Sequence, residues 1–318
     1  MIHGGGKPHR NINIILFAAL WALLFAAVAW AQEEGGGSKP PGVIDLILLP
    51  RFWVGAIFAI VGLALMMTKR AKRRLRLVWL GIAFFTFGII GVLPWGGFAA
   101  GMGLHPSPVC AITRPFQFLD RGGSIPAIFW IVTGFIALFS IVGNKLFCGW
   151  VCPLGALQEL VGRIKLHKKT KKAMRLKKTI PFRVSNTIRV LVAVAFFPVV
   201  FTTGRSIYDY FNPFESFHWG FAVSTTIILA VTLVAALFLF RPFCYLICPI
   251  GLFTWVLEHI SFVRLRLSKN ECNDCDACLK LTNCPAVAAT LAGKKSRPDC
   301  HACGECMNVC PKNALTFR

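Results

Sequence analysis

Acidic residues are scarce in this chain. Thirteen Asp and Glu stand against 35 Lys and Arg in 318 residues, giving a formal net charge of +22. Charge of either sign is scarce too: 15% of residues are charged, where soluble domains carry about 25%. An ordinary water-soluble surface is thereby excluded for most of the chain. The basic residues fall in loops beside apolar runs, not along one face, so nucleic acid is not an expected partner. Histidine is sparse. The seven are His3, His9, His105, His167, His218, His259 and His301, all in or near loops. A bis-histidine haem needs two inside the apolar runs, so no haem is expected. No G-x-G-x-x-G follows a strand, and there is no P-loop or Ser-His-Asp pattern. No catalytic residue is assigned.

Hydrophobic runs are plentiful. The chain is 56% hydrophobic with mean hydropathy +0.63, which predicts an α-helical polytopic membrane protein with a small soluble appendage. Ile12–Ala31 is apolar and ends in an A-x-A pattern. A cleaved signal peptide is one reading. An uncleaved first helix is favoured, because the run is longer than the roughly 7–15 residues of a signal core. Gln32–Gly42 is a Gly/Pro-rich loop, and Val43–Met67 a second span interrupted by Pro50-Arg51. Six of the eight residues from Lys69 to Arg76 are basic, and Arg163–Arg183 carries ten Lys or Arg and no acid. Both stretches are expected in the cytoplasm. Between and after them run Leu77–Phe98, outward; Ile125–Phe147, inward; Ile188–Thr203, outward; and Phe221–Phe240, inward. Gly101–Gly123, with His105 and Cys110, and Arg205–Trp219 are outer loops. About six transmembrane helices result, in a bacterial inner membrane, with both termini cytoplasmic. The expected domains are 1–42 (first helix or signal anchor, and loop), 43–76 (second helix and basic loop), 77–264 (core) and 265–318 (tail).

The core repeats. Phe147-Cys-Gly-Trp-Val-Cys-Pro-Leu-Gly155 matches Phe243-Cys-Tyr-Leu-Ile-Cys-Pro-Ile-Gly251 at an offset of 96. Each follows an outward–inward helix pair and precedes an amphipathic segment, Ala156–Ile164 or Leu252–Ile260. The outer loops echo as well, in Arg114-Pro115-Phe116 and Asn212-Pro213-Phe214. Two copies of one hairpin therefore predict a four-helix core.

The tail holds Cys272, Cys275, Cys278 and Cys284-Pro285, then Cys300, Cys303, Cys306 and Cys310-Pro311. The second set is C-x2-C-x2-C-x3-C-P, the bacterial run for a [4Fe–4S] cluster; the first is the same with two residues added. In such runs the fourth cysteine serves the other cluster. Cys272, Cys275, Cys278 and Cys310 are thus expected to hold one [4Fe–4S] cluster, and Cys300, Cys303, Cys306 and Cys284 a second. Zinc knuckles also use C-x2-C pairs, but they have no use for the C-P endings. The tail resembles a two-cluster ferredoxin domain, down to its closing Cys310-Pro311-Lys312-Asn313-Ala314-Leu315.

Cys148, Cys152, Cys244 and Cys248 form the two C-x3-C-P pairs. If helical, the i,i+4 spacing puts both thiols of a pair on one face. Three readings stand: buried apolar cysteines, a further metal centre held by all four, or redox-active dithiols. His105 and His218, one in each outer loop, are solvated residues or contacts for a quinone or metal. Cys110 is inert or a contact for a partner.

Two C-x3-C-P motifs after paired membrane helices, followed by a two-cluster tail, resemble the NapH/MauN/NosR class of polytopic membrane ferredoxins. The resemblance spans about Leu77–Arg318, and the flavin-binding domain of the NosR branch is not seen, which points to the shorter NapH/MauN type. It implies iron–sulfur electron transfer between the quinone pool or a cytoplasmic donor and a periplasmic respiratory or catabolic enzyme. A role as a quinol-dehydrogenase subunit falls within it. The related CcoG-like branch implies copper-centre maturation as the alternative.

Overall fold

The computed structural model describes residues 42–92, 101–103, 105–164, 180–218, 223–282, 284–293 and 298–318. The run Ile12–Ala31, nearly all of the loop after it and the basic stretch 165–179 lie outside the described residues.

The molecule is mostly helical. Helix α1 (Val43–Ile47) stops short of α2 (Pro50–Met67). The break falls at Leu48–Leu49 because Leu49 precedes a proline and is pushed to extended backbone (φ −54°, ψ 135°). Helix α3 (Arg73–Phe84) continues into a π turn (Phe85–Ile89) and a 3-10 turn (Ile90–Val92). Much of the expected outer loop 101–123 is instead a helix, α4 (Pro108–Asp120). Ser107 caps it, accepting from Cys110 N at 3.3 Å, and Pro108 fills its first position. Helix α5 (Ala127–Gly143) ends at left-handed Asn144. A π turn (Phe147–Val151) and α6 (Pro153–Gly162) complete the first repeat.

The second repeat runs through α7 (Phe182–Thr203), α8 (Ile207–Phe211), a 3-10 turn (Pro213–His218), α9 (Val223–Phe238), α10 (Pro242–Leu246) and α11 (Pro249–Glu258). The two copies interlock. Helix α6 packs on α3 of its own repeat and α9 of the other; α11 packs on α7 of its own and on α4 and α5 of the other. Helix α2 lies on the first motif through Gly62, where a Cβ would come within 2.6 Å of the Trp150 ring.

Among the described residues, α2 and α7 are long and apolar enough to cross a bilayer, while α5 and α9 are apolar but shorter, at 17 and 16 residues. The burial of α7 is inverted relative to a soluble helix. Val184, Ile188, Leu191, Val194, Phe197 and Phe201 are exposed, and Ser185 and Arg189 are buried.

The tail is a small α+β unit. Strands β1 (Leu265–Leu267) and β2 (Leu315–Phe317) pair antiparallel, Leu265 opposite Phe317. Between them lie α12 (Ala277–Thr282), α13 (Pro285–Leu291) and α14 (Glu305–Val309). The tail meets the chain just after the C-terminal end of α2, where Asn308 Nδ2 donates to Ala71 O at 2.8 Å.

Candidate iron–sulfur and thiol sites

The two cysteine loops of the tail share one backbone. Asp274 and Ala302, each just before the second cysteine, have φ of 51° and 46°; Asp276 and Gly304, each just after it, have 53° and 74°. Left-handed residues among right-handed ones turn successive N–H groups inward, a nest for an anion. The thiols gather in two neighbourhoods. Burial raises the Cys278 pKa, and Cys310 and Cys272 raise it further. Cys284 is pushed up to about 11 by burial, then by Cys303. Burial holds Cys306 well above the thiol range, with Cys303, Cys284 and Cys300 adding to it. Cys275 is exposed. A cavity of about 330 Å³ is lined by Cys284, Cys300, Cys303 and Cys306. Among the described residues no three His, Cys, Asp or Glu side chains converge as a single metal ion requires; a cubane holds its cysteines further apart.

The C-x3-C-P pairs are not i,i+4 pairs of one helix. Cys148 sits in the π turn, and Cys152 is the extended N-cap of α6. Cys244 sits in α10, and Cys248 caps α11. The proline after the second cysteine is the cause. It disfavours helical backbone at the preceding residue and offers no N–H to continue the helix. Cys152 (φ −62°, ψ 117°) and Cys248 (φ −61°, ψ 119°) are near copies. Both make the same closing bond, their N–H groups donating to Phe147 O and Phe243 O at 3.0 Å. Gly155 and Gly251 let the hairpins close: a Cβ on Gly155 would come within 2.8 Å of Cys148 O, and one on Gly251 would overlap Cys244 O. All four thiols are buried and lie near one another. Cys244 and Cys148 act electrostatically on both Cys152 and Cys248, and Gln158 Nε2 reaches Cys244 Sγ at 3.6 Å.

Charged residues surround these thiols. Glu159 accepts from Arg76 (2.9 Å), Arg163 (2.7 Å) and Arg241 (2.6 Å). Asp299 pairs with Lys145 and, at 2.6 Å, with Arg189. Asp299 opens the second cysteine loop of the tail, and that loop is seated between the two motifs. A Cβ on Gly149 would overlap His301 O. Trp150 Nε1 donates to Ala302 O at 2.9 Å, and Tyr245 Oη donates to Asp299 O at 3.1 Å. The His301 ring lies 4.9 Å from the Tyr245 ring. Gly149 and Tyr245 are equivalent positions of the repeat, so both motifs grip one loop.

On the other side, Cys110 is buried, with its Sγ 3.7 Å from Glu215 Oε1 and 3.6 Å from Asn212 Nδ2. His105 is exposed, and the His218 side chain lies outside the described residues. Sequence reasoning missed Lys145 and Arg241, although extending the repeat three residues upstream of each first cysteine finds a cation in both copies. It also missed Glu159, Arg189 and Asp299, for which no local pattern exists.

The fold and its cysteines define a ferredoxin-type, 4Fe-4S-binding protein. A model described as a 4Fe-4S binding domain matches residues 125–173 and 221–269, one on each repeat, and a second such domain matches 297–316. The chain is 26% identical over 253 residues to the ferredoxin-type protein NapH of Escherichia coli, covering 74% of this chain and 85% of that one. An uncharacterized protein of Methanocaldococcus jannaschii is 30% identical over 187 residues, 57% of this chain and 75% of its own. The methylamine utilization ferredoxin-type protein MauN of Methylorubrum extorquens is 27% identical over 226 residues, 68% and 75% respectively. No solved structure matches the chain. The chain belongs to the NapH/MauN/NosR-like family of ferredoxin-type electron transport proteins.

Proposed function

We propose that this protein is a multi-pass protein of the bacterial cytoplasmic membrane that relays electrons between the quinone pool, or a cytoplasmic donor, and a periplasmic redox enzyme. Its expected domains are retained: two N-terminal helices, a repeated four-helix core over 77–264 and a cytoplasmic ferredoxin domain over 265–318. The outward apolar faces of α2, α3, α7 and α9 support the membrane assignment, since exposed residues such as Ile60, Val78, Leu191, Phe201, Val231 and Val234 suit lipid and not water.

Cys272, Cys275, Cys278 and Cys310 would hold one [4Fe–4S] cluster, and Cys284, Cys300, Cys303 and Cys306 a second. The cavity at the second set and the inward-turned N–H groups at both loops fit that assignment. Cys148, Cys152, Cys244 and Cys248 would hold a third centre, for which four neighbouring buried soft donors are the right chemistry. Bound iron–sulfur clusters supply one-electron transfer. The chain's own residues bring the stations together, and the seating of Asp299–Ala302 between the two motifs is the observation that carries the reading. Copper handover, the alternative, needs thiols a partner can reach, whereas these four are only 7–8% exposed. The test is reconstitution of the purified protein in liposomes with quinols, following cluster reduction optically. Reduction that depends on the quinol supports the relay. Clusters that stay oxidised with every quinol, and with a cytoplasmic ferredoxin donor, overturn it.

A further inference from the structure

Lys145 and Arg241 each stand three residues before the first cysteine of a C-x3-C-P motif. Both are completely buried, and both have left-handed backbone, φ 61° and 48°. Such backbone in a non-glycine residue persists only where its surroundings enforce it. Here each residue reaches into the opposite repeat. Lys145 Nζ donates to Gly251 O at 2.9 Å, and the Arg241 guanidinium donates to Cys148 O. A Cβ on Gly155 would come within 3.0 Å of Arg241 Nη1; one on Gly251 would come within 3.2 Å of Arg189 Nη1. The glycine of each motif is therefore also the seat of a cation.

The buried charges do not balance among the described residues. Among the described residues four fully buried cations, Arg76, Lys145, Arg189 and Arg241, face three buried carboxyls, Glu159, Glu258 and Asp299. One cation is left over even with every carboxyl ionised. Donor atoms are left over too: Arg241 Nε and Arg189 Nε and Nη1 are buried without a hydrogen-bond partner. Buried charge of this kind calls for an anion beside it.

We infer that Lys145, Arg189 and Arg241 are the charge partners of an anionic metal–thiolate centre at Cys148, Cys152, Cys244 and Cys248, and that they raise its reduction potential. This rests on the proposal above that the four thiols hold a centre. Reduction adds one electron and hence one negative charge to the centre, so nearby cations stabilise the reduced form more than the oxidised one. The three are positioning residues and carry no electron themselves.

The experiment is a dithionite titration of the full-length protein monitored by electron paramagnetic resonance, with iron counted first. The variants are Arg241→Gln, Lys145→Met and the charge-keeping Arg241→Lys. The two salt-bridged carboxylates keep another cation in every variant: Asp299 has Arg189, and Glu159 has Arg76 and Arg163. The neutral variants should show about tenfold less reduced centre at a fixed potential, a shift of about 59 mV. The Arg241→Lys potential and the signal of the cluster at Cys272, Cys275, Cys278 and Cys310 should stay in place. Loss of the centre's iron in Arg241→Gln but not in Arg241→Lys also supports charge pairing. Equal loss in both, or iron retained with an unmoved potential, overturns the inference. A wild-type protein with iron for the tail alone, about eight atoms, removes the centre itself; the iron count separates that failure from a failure of the charge argument.

Discussion

Single residues of the core carry more than packing. Glu159 is nearly inaccessible and holds Arg76, Arg163 and Arg241 together from three separate elements. Neutralising it leaves buried arginines facing each other without a carboxylate. Glu159→Gln is expected to cost about 3–5 kcal/mol, seen as a clear drop in the thermal unfolding midpoint in detergent; an unmoved midpoint would show that the pairs are idle. The cysteines separate by role in the same way. With Cys148→Ser and Cys244→Ser combined, the tail should keep its iron, because its eight thiols are its own. Quinol-dependent turnover should fall sharply, because a serine oxygen does not replace a thiolate for soft metals or exchange. Full turnover in that double variant would return the four cysteines to a packing role.

Elements meet at glycines. The backbone of the tail loop approaches the π turn Phe147–Val151 so closely that Gly149 has no room for a side chain. Gly149→Ala should push the loop away and break the Trp150–Ala302 hydrogen bond. The expected loss is about 1–3 kcal/mol at the junction, with the tail clusters still assembled. Limited proteolysis between β1 and the core reads the undocking, and transfer between tail and membrane should slow in parallel. A protease pattern identical to the wild type would show that the contact is loose. The short helices α6 and α11 do the complementary work, since each is wedged between both repeats and so fixes the angle at which the thiols face each other.

For the whole molecule, charge asymmetry sets the expected orientation. The basic stretch Lys69–Arg76 and the ferredoxin tail lie on the same side, joined by the Asn308–Ala71 contact and by Lys69 reaching Asn313 O at 3.4 Å. Reporter fusions after Arg318 and within 206–218 should give opposite topologies, the first cytoplasmic. An exported C-terminus would overturn the membrane arrangement. Anaerobically purified protein should carry about eight irons in the tail, with any excess belonging to the C-x3-C-P thiols. With all tail cysteines intact, a total near four would sink the cross-ligated scheme.

The family and the repeat were legible in the sequence because their signals are local. Cysteines spaced two or three residues apart, a proline directly after, and the same F-C-x3-C-P-x-G pattern recurring at an offset of 96 need no knowledge of the fold. Helix α4 was half legible: Ser107-Pro108 is a start signal, but the surrounding glycines read as a loop. The backbone at the C-x3-C-P pairs was misread because i,i+4 spacing suggests a helix that Pro153 and Pro249 interrupt. What the tertiary structure alone decided is the charge network. Lys145 meets Gly251 across 106 residues and Asp299 across 154. Contacts that distant leave no periodicity in the chain. They arise only when two repeats interlock and the tail loop is drawn between them, where water is excluded and each buried charge must find a partner.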